Sequence, residues 1–205
     1  MSTTIKYTTD LSSELTESQL SLVKEYQKKI FENNVLKKKE FFIDQQLVTT
    51  VYYKSPSESV NEILTQFAGA NLQIRTITFI GTKEYEQNDV YSAGELIERY
   101  NYLYDQNKDV ICREEINLVT GLPIYEETKK YYFDRSLDPE NELFDCRYNE
   151  DGVLEHIEYN MYEFQESKWF WEGGVPGESD IETLRGLTGL TQQEMNYYLS
   201  AALLP

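Results

Sequence analysis

The chain has 205 residues and a formal net charge of -17, from 36 Asp and Glu against 19 Lys and Arg. That field repels nucleic acid and anionic membrane and draws in cationic partners, while a 40% hydrophobic content excludes wholesale disorder. The excess is one-sided: residues 84–205 hold nine basic and 27 acidic residues, and the fifteen carboxylates of Asp134–Glu182 face only Arg135, Arg147 and Lys168.

Between Ser13 and Asn33, Leu15, Leu20, Leu22, Val23, Tyr26, Ile30 and Phe31 recur at helical spacing. Thr16-x-x-Gln19 offers capping chemistry, and Asn33-Asn34 tolerate the left-handed conformation that ends a helix. The pattern predicts an N-terminal helix within residues 1–35. From Leu36 the period falls to two. Asp44-Gln45-Gln46 turns the chain, and Leu47–Tyr53 returns as a β-branched, aromatic strand, which predicts a hairpin. Val60, Ile63, Leu64 and Phe67 share one face of a short helix inserted near residues 57–68. Strand alternation resumes over Leu72–Ile80, near Tyr85–Tyr91, and on both sides of the turn Asp105–Lys108. Ile124–Phe133 and Leu143–Tyr148 border a loop at Arg135–Glu142. Asn149-Glu150-Asp151-Gly152 then joins Tyr148 to Val153–Met161, and an Asp-Gly pair is a strong hairpin signal. Residues 36–171 thus read as an antiparallel sheet. Ser179-x-x-Glu182 and Thr191-x-x-Glu194 are capping boxes that open two helices within 178–205. The whole reads as a single α+β domain over 1–205, an antiparallel β-meander flanked by an N-terminal helix and a C-terminal helical pair.

The hairpins echo one another. Phe42-Ile43-Asp44-Gln45-Gln46-Leu47-Val48 aligns with Tyr148-Asn149-Glu150-Asp151-Gly152-Val153-Leu154, and Tyr102–Asp105 through Val110-Ile111 is a longer version. Each unit is one hairpin that must pair edge to edge with the next to bury its face. This pattern resembles the degenerate MORN-like and YD-type hairpin repeats of bacterial proteins, several of them associated with toxin–antitoxin or toxin–immunity systems. The resemblance covers the middle three-fifths of the chain. Asp151-Gly152 fits its turn, whereas Asp44-Gln45-Gln46 lacks the glycine and Asp105–Asp109 is expanded. It implies a binding module and not an enzyme.

Catalytic and metal motifs are sparse. His156 falls on the polar face of its strand with Glu158 and Asn160. Asp105-x-Asn107-x-Asp109 begins like a calcium loop, but Val110 stands where glycine is needed and Ile116 where the bidentate glutamate is needed. No phosphate-binding glycine loop, nucleophile elbow or zinc-ligand spacing occurs, so no cofactor and no metal are expected. Thr183–Leu199 has the rhythm of a helix-turn-helix, yet Arg185 is the only basic residue after Lys168, which argues for Leu184, Leu187, Leu190, Met195, Tyr198 and Leu203 docking on the sheet. Met1–Asp10 lacks a signal-peptide pattern, and Cys112 and Cys146 read as reduced thiols with a bridge between them left open, so a cytoplasmic location is expected.

The expected function is a non-catalytic acidic protein-binding module, an immunity protein or antitoxin neutralising a basic, nuclease-like toxin domain. The expected surface is Asp138, Glu140, Glu142, Asp145, Glu150, Asp151, Glu155, Glu158, Tyr159, Tyr162 and Glu163. The alternatives are a hydrolase using carboxylates alone and a sheet that binds a metal or a small molecule, the latter as a barrel closed around Tyr102, Tyr125, Tyr132 and Tyr148.

Overall fold

The aromatic and β-branched runs form strands almost throughout the computed structural model. It describes residues 2–9, 13–161, 166–169 and 178–204, with backbone alone for 159–161, 166–169 and 178–180. In chain order these form β1 (Thr3–Thr8), β2 (Glu14–Leu15), a 3-10 helix (Glu17–Leu22), β3 (Glu25–Glu32), β4 (Val35–Ile43), β5 (Gln46–Lys54), α1 (Val60–Gln66), β6 (Leu72–Ile80), β7 (Lys83–Ser92), β8 (Glu95–Tyr104), β9 (Val110–Ile116), β10 (Pro123–Tyr132), β11 (Phe144–Tyr148), β12 (Leu154–Met161), β13 (Glu166–Trp169), α2 (Glu178–Thr188) and α3 (Gln192–Tyr198). The chain divides into two compact units, Met1–Thr78 with Glu86–Arg99, and Phe79–Tyr85 with Tyr100–Pro205. No helix among the described residues is long and apolar enough to cross a membrane.

In the first unit neighbouring strands follow the order β2-β1-β3-β4-β5-β6-β7-β8. The expected N-terminal helix is absent. Its span holds β2, one 3-10 segment and β3, and β3 pairs antiparallel with β1 on one side and β4 on the other. Backbone pairing on both edges satisfies β3 throughout, and Tyr26 stacks on Phe42 across the pair at 4.8 Å. These contacts outweigh a helical periodicity that is only a weak prior. Leu22, on the apolar face of the expected helix, is 82% exposed. The local signals were real but belonged to other structures. Gln19 Oε1 accepts from the Thr16 N–H at 2.8 Å to cap the 3-10 segment, and Asn33 and Asn34, with φ of 49° and 66°, make the β3–β4 hairpin turn.

The sheet is also not a pure meander, because β5 and β6 run parallel. A parallel return needs a crossover of a dozen or more residues, and the segment carrying α1 supplies it. Ile63 of α1 is buried among Tyr52, Leu72, Ile74 and Tyr91, which form this unit's core.

The second unit takes the C-terminal half of β8 and continues β9-β10-β11-β12-β13, antiparallel in each pair from β8–β9 onward. Its inner face is covered by the C-terminal helices: Phe144, Cys146, Tyr148, Leu154 and Ile157 pack with Leu184, Met195, Tyr197 and Tyr198. Helix α3 starts at the predicted capping box, with Glu194 accepting from Thr191 N at 2.8 Å and the Glu194 N–H donating to Thr191 Oγ1 at 3.2 Å. Of the expected docking residues, Leu187 is the exception at 45% exposed. Cys112, Lys130 and Cys146 stand in one register row across β9, β10 and β11. Two strand spacings, ~9.6 Å, separate the cysteines, beyond the ~7 Å that a disulfide spans, and both are free.

Candidate binding cleft

Two irregularities shape one end of the second unit. Between β9 and β10 the register slips, so that Tyr125, Glu126, Glu127 and Thr128 oppose Glu114 alone. Between β11 and β12, Arg147 pairs with His156 but Tyr148 with Leu154, leaving Glu155 as the bulged residue. Bulges re-aim side chains, and these two turn Glu126 and Glu155 toward the β11–β12 hairpin tip. The tip is held by Asn149, whose Oδ1 accepts from the N–H groups of Asp151 at 3.1 Å and Val153 at 3.0 Å. Gly152 completes the turn at φ +75°, and a Cβ there would meet the Tyr125 ring at 3.2 Å.

The result is a solvent-open cleft of about 370 Å³ lined by Glu126, Asn149, Glu150, Asp151 and Glu155. All four carboxylate residues are exposed, and none has an ion-pair or side-chain hydrogen-bond partner among the described residues. No three acidic, histidine or cysteine side chains among the described residues converge as a metal site.

Of the expected surface residues, Glu150, Asp151 and Glu155 meet here, joined by Glu126, which sequence reading missed because its recruitment depends on the β10 bulge. The others are dispersed. Asp138 is buried in the loop after β10, where its carboxylate accepts from the N–H groups of Glu140 at 2.8 Å and Asn141 at 2.9 Å; these bonds hold its pKa below the usual range. Glu140 is exposed and Glu142 half-buried in the same loop. Asp145 and Glu158 lie on the outer sheet face, both within reach of Arg147, at 3.4 Å and 3.3 Å. Burial raises the Asp145 pKa, with Arg147 opposing. Tyr159 lies on β12, where only its backbone is described, and Tyr162 and Glu163 fall outside the described residues.

The outer face is not uniformly acidic. Tyr102, Arg113, Lys129, Arg147 and His156 stand in one register row across β8 to β12, beside the row of Tyr131, Asp145 and Glu158. Tyr100, Tyr102 and Tyr104 form a ladder at 6.3 and 6.2 Å, and Arg113 lies over the Tyr100 ring at 4.9 Å. Tyr102 is on this face while Tyr132 and Tyr148 belong to the helix-covered one, so the four tyrosines do not line a shared barrel interior. The calcium-like turn is committed to its own structure: Asp105 Oδ1 accepts from Asn107 N at 2.8 Å and Asp109 N at 2.9 Å, and Asp109 is paired with Arg135.

The inner face holds a group that composition does not reveal. Lys130 is fully buried, its ammonium donating to the Tyr197 carbonyl and lying 3.4 Å from the Tyr197 ring centroid. Burial pushes its pKa down to about 8, opposed by Cys112, Cys146 and Glu114. Burial likewise pushes the Cys112 thiol up to about 12 and raises Glu114, against the amide of Asn101.

Comparison with protein-family models, with curated proteins and with solved structures finds no match to this chain.

Proposed function

We propose that this chain is a non-catalytic binding protein whose acidic cleft receives a cationic surface of a protein partner. The partner class is a basic, nuclease-like toxin domain, and the chain acts on it as an immunity protein or antitoxin of the kind its hairpin repeats resemble. One observation carries the reading: Glu126, Glu150, Asp151 and Glu155 line a single cleft with no cation among the described residues. Several other carboxylates of the same unit are matched, Glu84 with Lys108, Asp109 with Arg135, and Asp145 and Glu158 with Arg147. An unmatched, solvated quartet steers a cationic partner and complements it on contact. A nuclease must bind a polyanion, so its cleft offers the opposite sign. The cell compartment that fits such a role is the cytoplasm.

The test is capture from the source cells at low salt, with elution by rising salt, using the native chain and a Glu126→Gln, Glu150→Gln, Asp151→Asn, Glu155→Gln variant in parallel. A basic protein retained by the native chain and lost with the variant supports the reading. Equal retention by both refutes it.

A further inference from the structure

A second cleft, of about 340 Å³, opens on the inner side of the second unit, where α3 meets the sheet. Ile111, Tyr132, Leu190, Tyr197 and Tyr198 line it, together with the polar Lys83, Gln193 and Glu194. Pockets of ~300–1,000 Å³ with apolar walls and one or two placed polar groups are the usual form of small-ligand sites. Lys83 is the first residue of β7, and its ammonium lies 5.1 Å from the Tyr197 ring centroid. It has no ion-pair partner among the described residues. Burial lowers its pKa, with Asp105 and Cys112 opposing, so its charge is partly desolvated and only partly offset. The Tyr197 ring also carries the buried Lys130 ammonium, which puts two cations against one ring. The acids around the cleft are otherwise engaged: Asp105, which faces Lys83, accepts from Asn107 N at 2.8 Å and Asp109 N at 2.9 Å. Glu114 is buried and accepts from Asn101 at 3.3 Å, and Glu194 at the rim is held by Thr191 N at 2.8 Å and Thr191 Oγ1 at 2.7 Å.

We propose that this cleft binds a small aromatic carboxylate, its ring seated among Tyr132, Leu190 and Tyr198 and its carboxylate on Lys83. The carboxylate supplies the direct ion pair that Lys83 lacks, and the tyrosine walls offer edge and face contacts to a ring. The site is separate from the acidic cleft and stands independently of the function proposed for it.

The test uses three probes of one shape: 3-phenylpropionate, 3-phenylpropanamide and phenethylamine, titrated by ligand-observed NMR against the full chain. The expected result is phenylpropionate binding near ~1 mM, and about tenfold tighter than the amide, with the amine weakest. Lys83→Met should remove the preference for the carboxylate over the amide, and Lys83→Arg should restore it. Leu190→Trp, which fills the cleft, should abolish binding of every probe. The proposal is overturned if phenylpropionate shows no preference over the amide, if the preference survives Lys83→Met, or if none of the probes binds. Because Lys83→Met keeps an unbranched side chain of similar length beside the Tyr197 ring, it stays informative even if Leu190→Trp fails to fold.

Discussion

Keeping Lys130 charged in the second unit's core costs stability, and the cost depends on pH. Its folded pKa of about 8 lies below the 10.5 of an unperturbed lysine. Between these values the unfolded chain binds more protons than the folded one, so stability rises with pH across the window, by roughly 3 kcal/mol in all. The buried thiols act in the opposite sense. Cys112 and Cys146 have folded pKa values raised from 9.0, so above pH 9 the unfolded chain loses protons that the folded chain retains, and stability falls. Above pH 10 the raised pKa values of Tyr148, Tyr197 and Tyr198 add to the fall. Urea unfolding should therefore show stability climbing from pH 8 to a maximum near 9 and then declining. In Lys130→Met the climb should vanish and the decline remain; a climb unchanged in that variant would show that Lys130 is not its source. Gly152 offers a second residue-level check. Gly152→Ala adds left-handed strain and a Cβ at 3.2 Å from Tyr125, whereas Gly81→Ala, at φ +62° with nothing near its Cβ, adds strain alone. Strain of this kind costs about 1–3 kcal/mol. The excess destabilisation of Gly152→Ala over Gly81→Ala in thermal unfolding reports the Tyr125 contact, and equal losses would mean that the ring moves aside.

The crossover between β5 and β6 depends on a carboxylate at its first corner. Glu58 accepts from Tyr52 Oη at 2.6 Å, Ser55 N at 2.7 Å and Ser55 Oγ at 2.7 Å, and pairs with Lys37. Burial alone would raise its pKa, but these donors hold it down to about 2 from 4.5. A depressed carboxylate contributes stability that is complete above pH 4.5 and lost as pH falls toward 2. Glu58→Gln should cost roughly 1–2 kcal/mol at pH 7, discounted for partial exposure, and the gap from the native chain should close between pH 4.5 and 2 in denaturant titrations. A pH-independent gap would assign the loss to packing. At this scale the sequence is legible where one strand and its turn suffice. The alternation of Leu72–Ile80 ends at Gly81 as expected, the Asp151-Gly152 turn is present, and Thr191 and Glu194 open α3. It misleads where pairing decides. Nothing local in Glu25–Glu32 says that strands lie on both sides of it, and nothing in Ser55–Asn71 says that β6 runs parallel to β5. The acidic cleft was legible by residue type and invisible by partnership. Arg147 neutralises Asp145 and Glu158 through register, and Glu126 joins the quartet through a bulge, both long-range consequences of strand pairing.

Charge divides unequally between the two units. The first holds ten basic and thirteen acidic residues, the second nine and 23. In the second unit Glu84, Asp109, Asp145 and Glu158 find cationic partners, whereas Glu126, Glu150, Asp151 and Glu155 line one cleft without one, so self-repulsion gathers there. A surface kept unmatched for a partner should weaken the free protein, since like charges oppose the compact state. Replacing the quartet by Gln and Asn should therefore raise the unfolding midpoint at low ionic strength. The gain should shrink as added salt shortens the screening length from ~30 Å at 0.01 M to ~3 Å at 1 M. Replacing Glu158 by Gln should do the reverse, because Arg147 then loses that acceptor. Opposite signs for the two variants, read from midpoints across a salt series, would separate acids that stabilise the sheet from acids held for recognition. If the quartet variant gained nothing at low salt, its carboxylates would be too well solvated to repel one another. The steering argument for a cationic partner would then lose its physical basis.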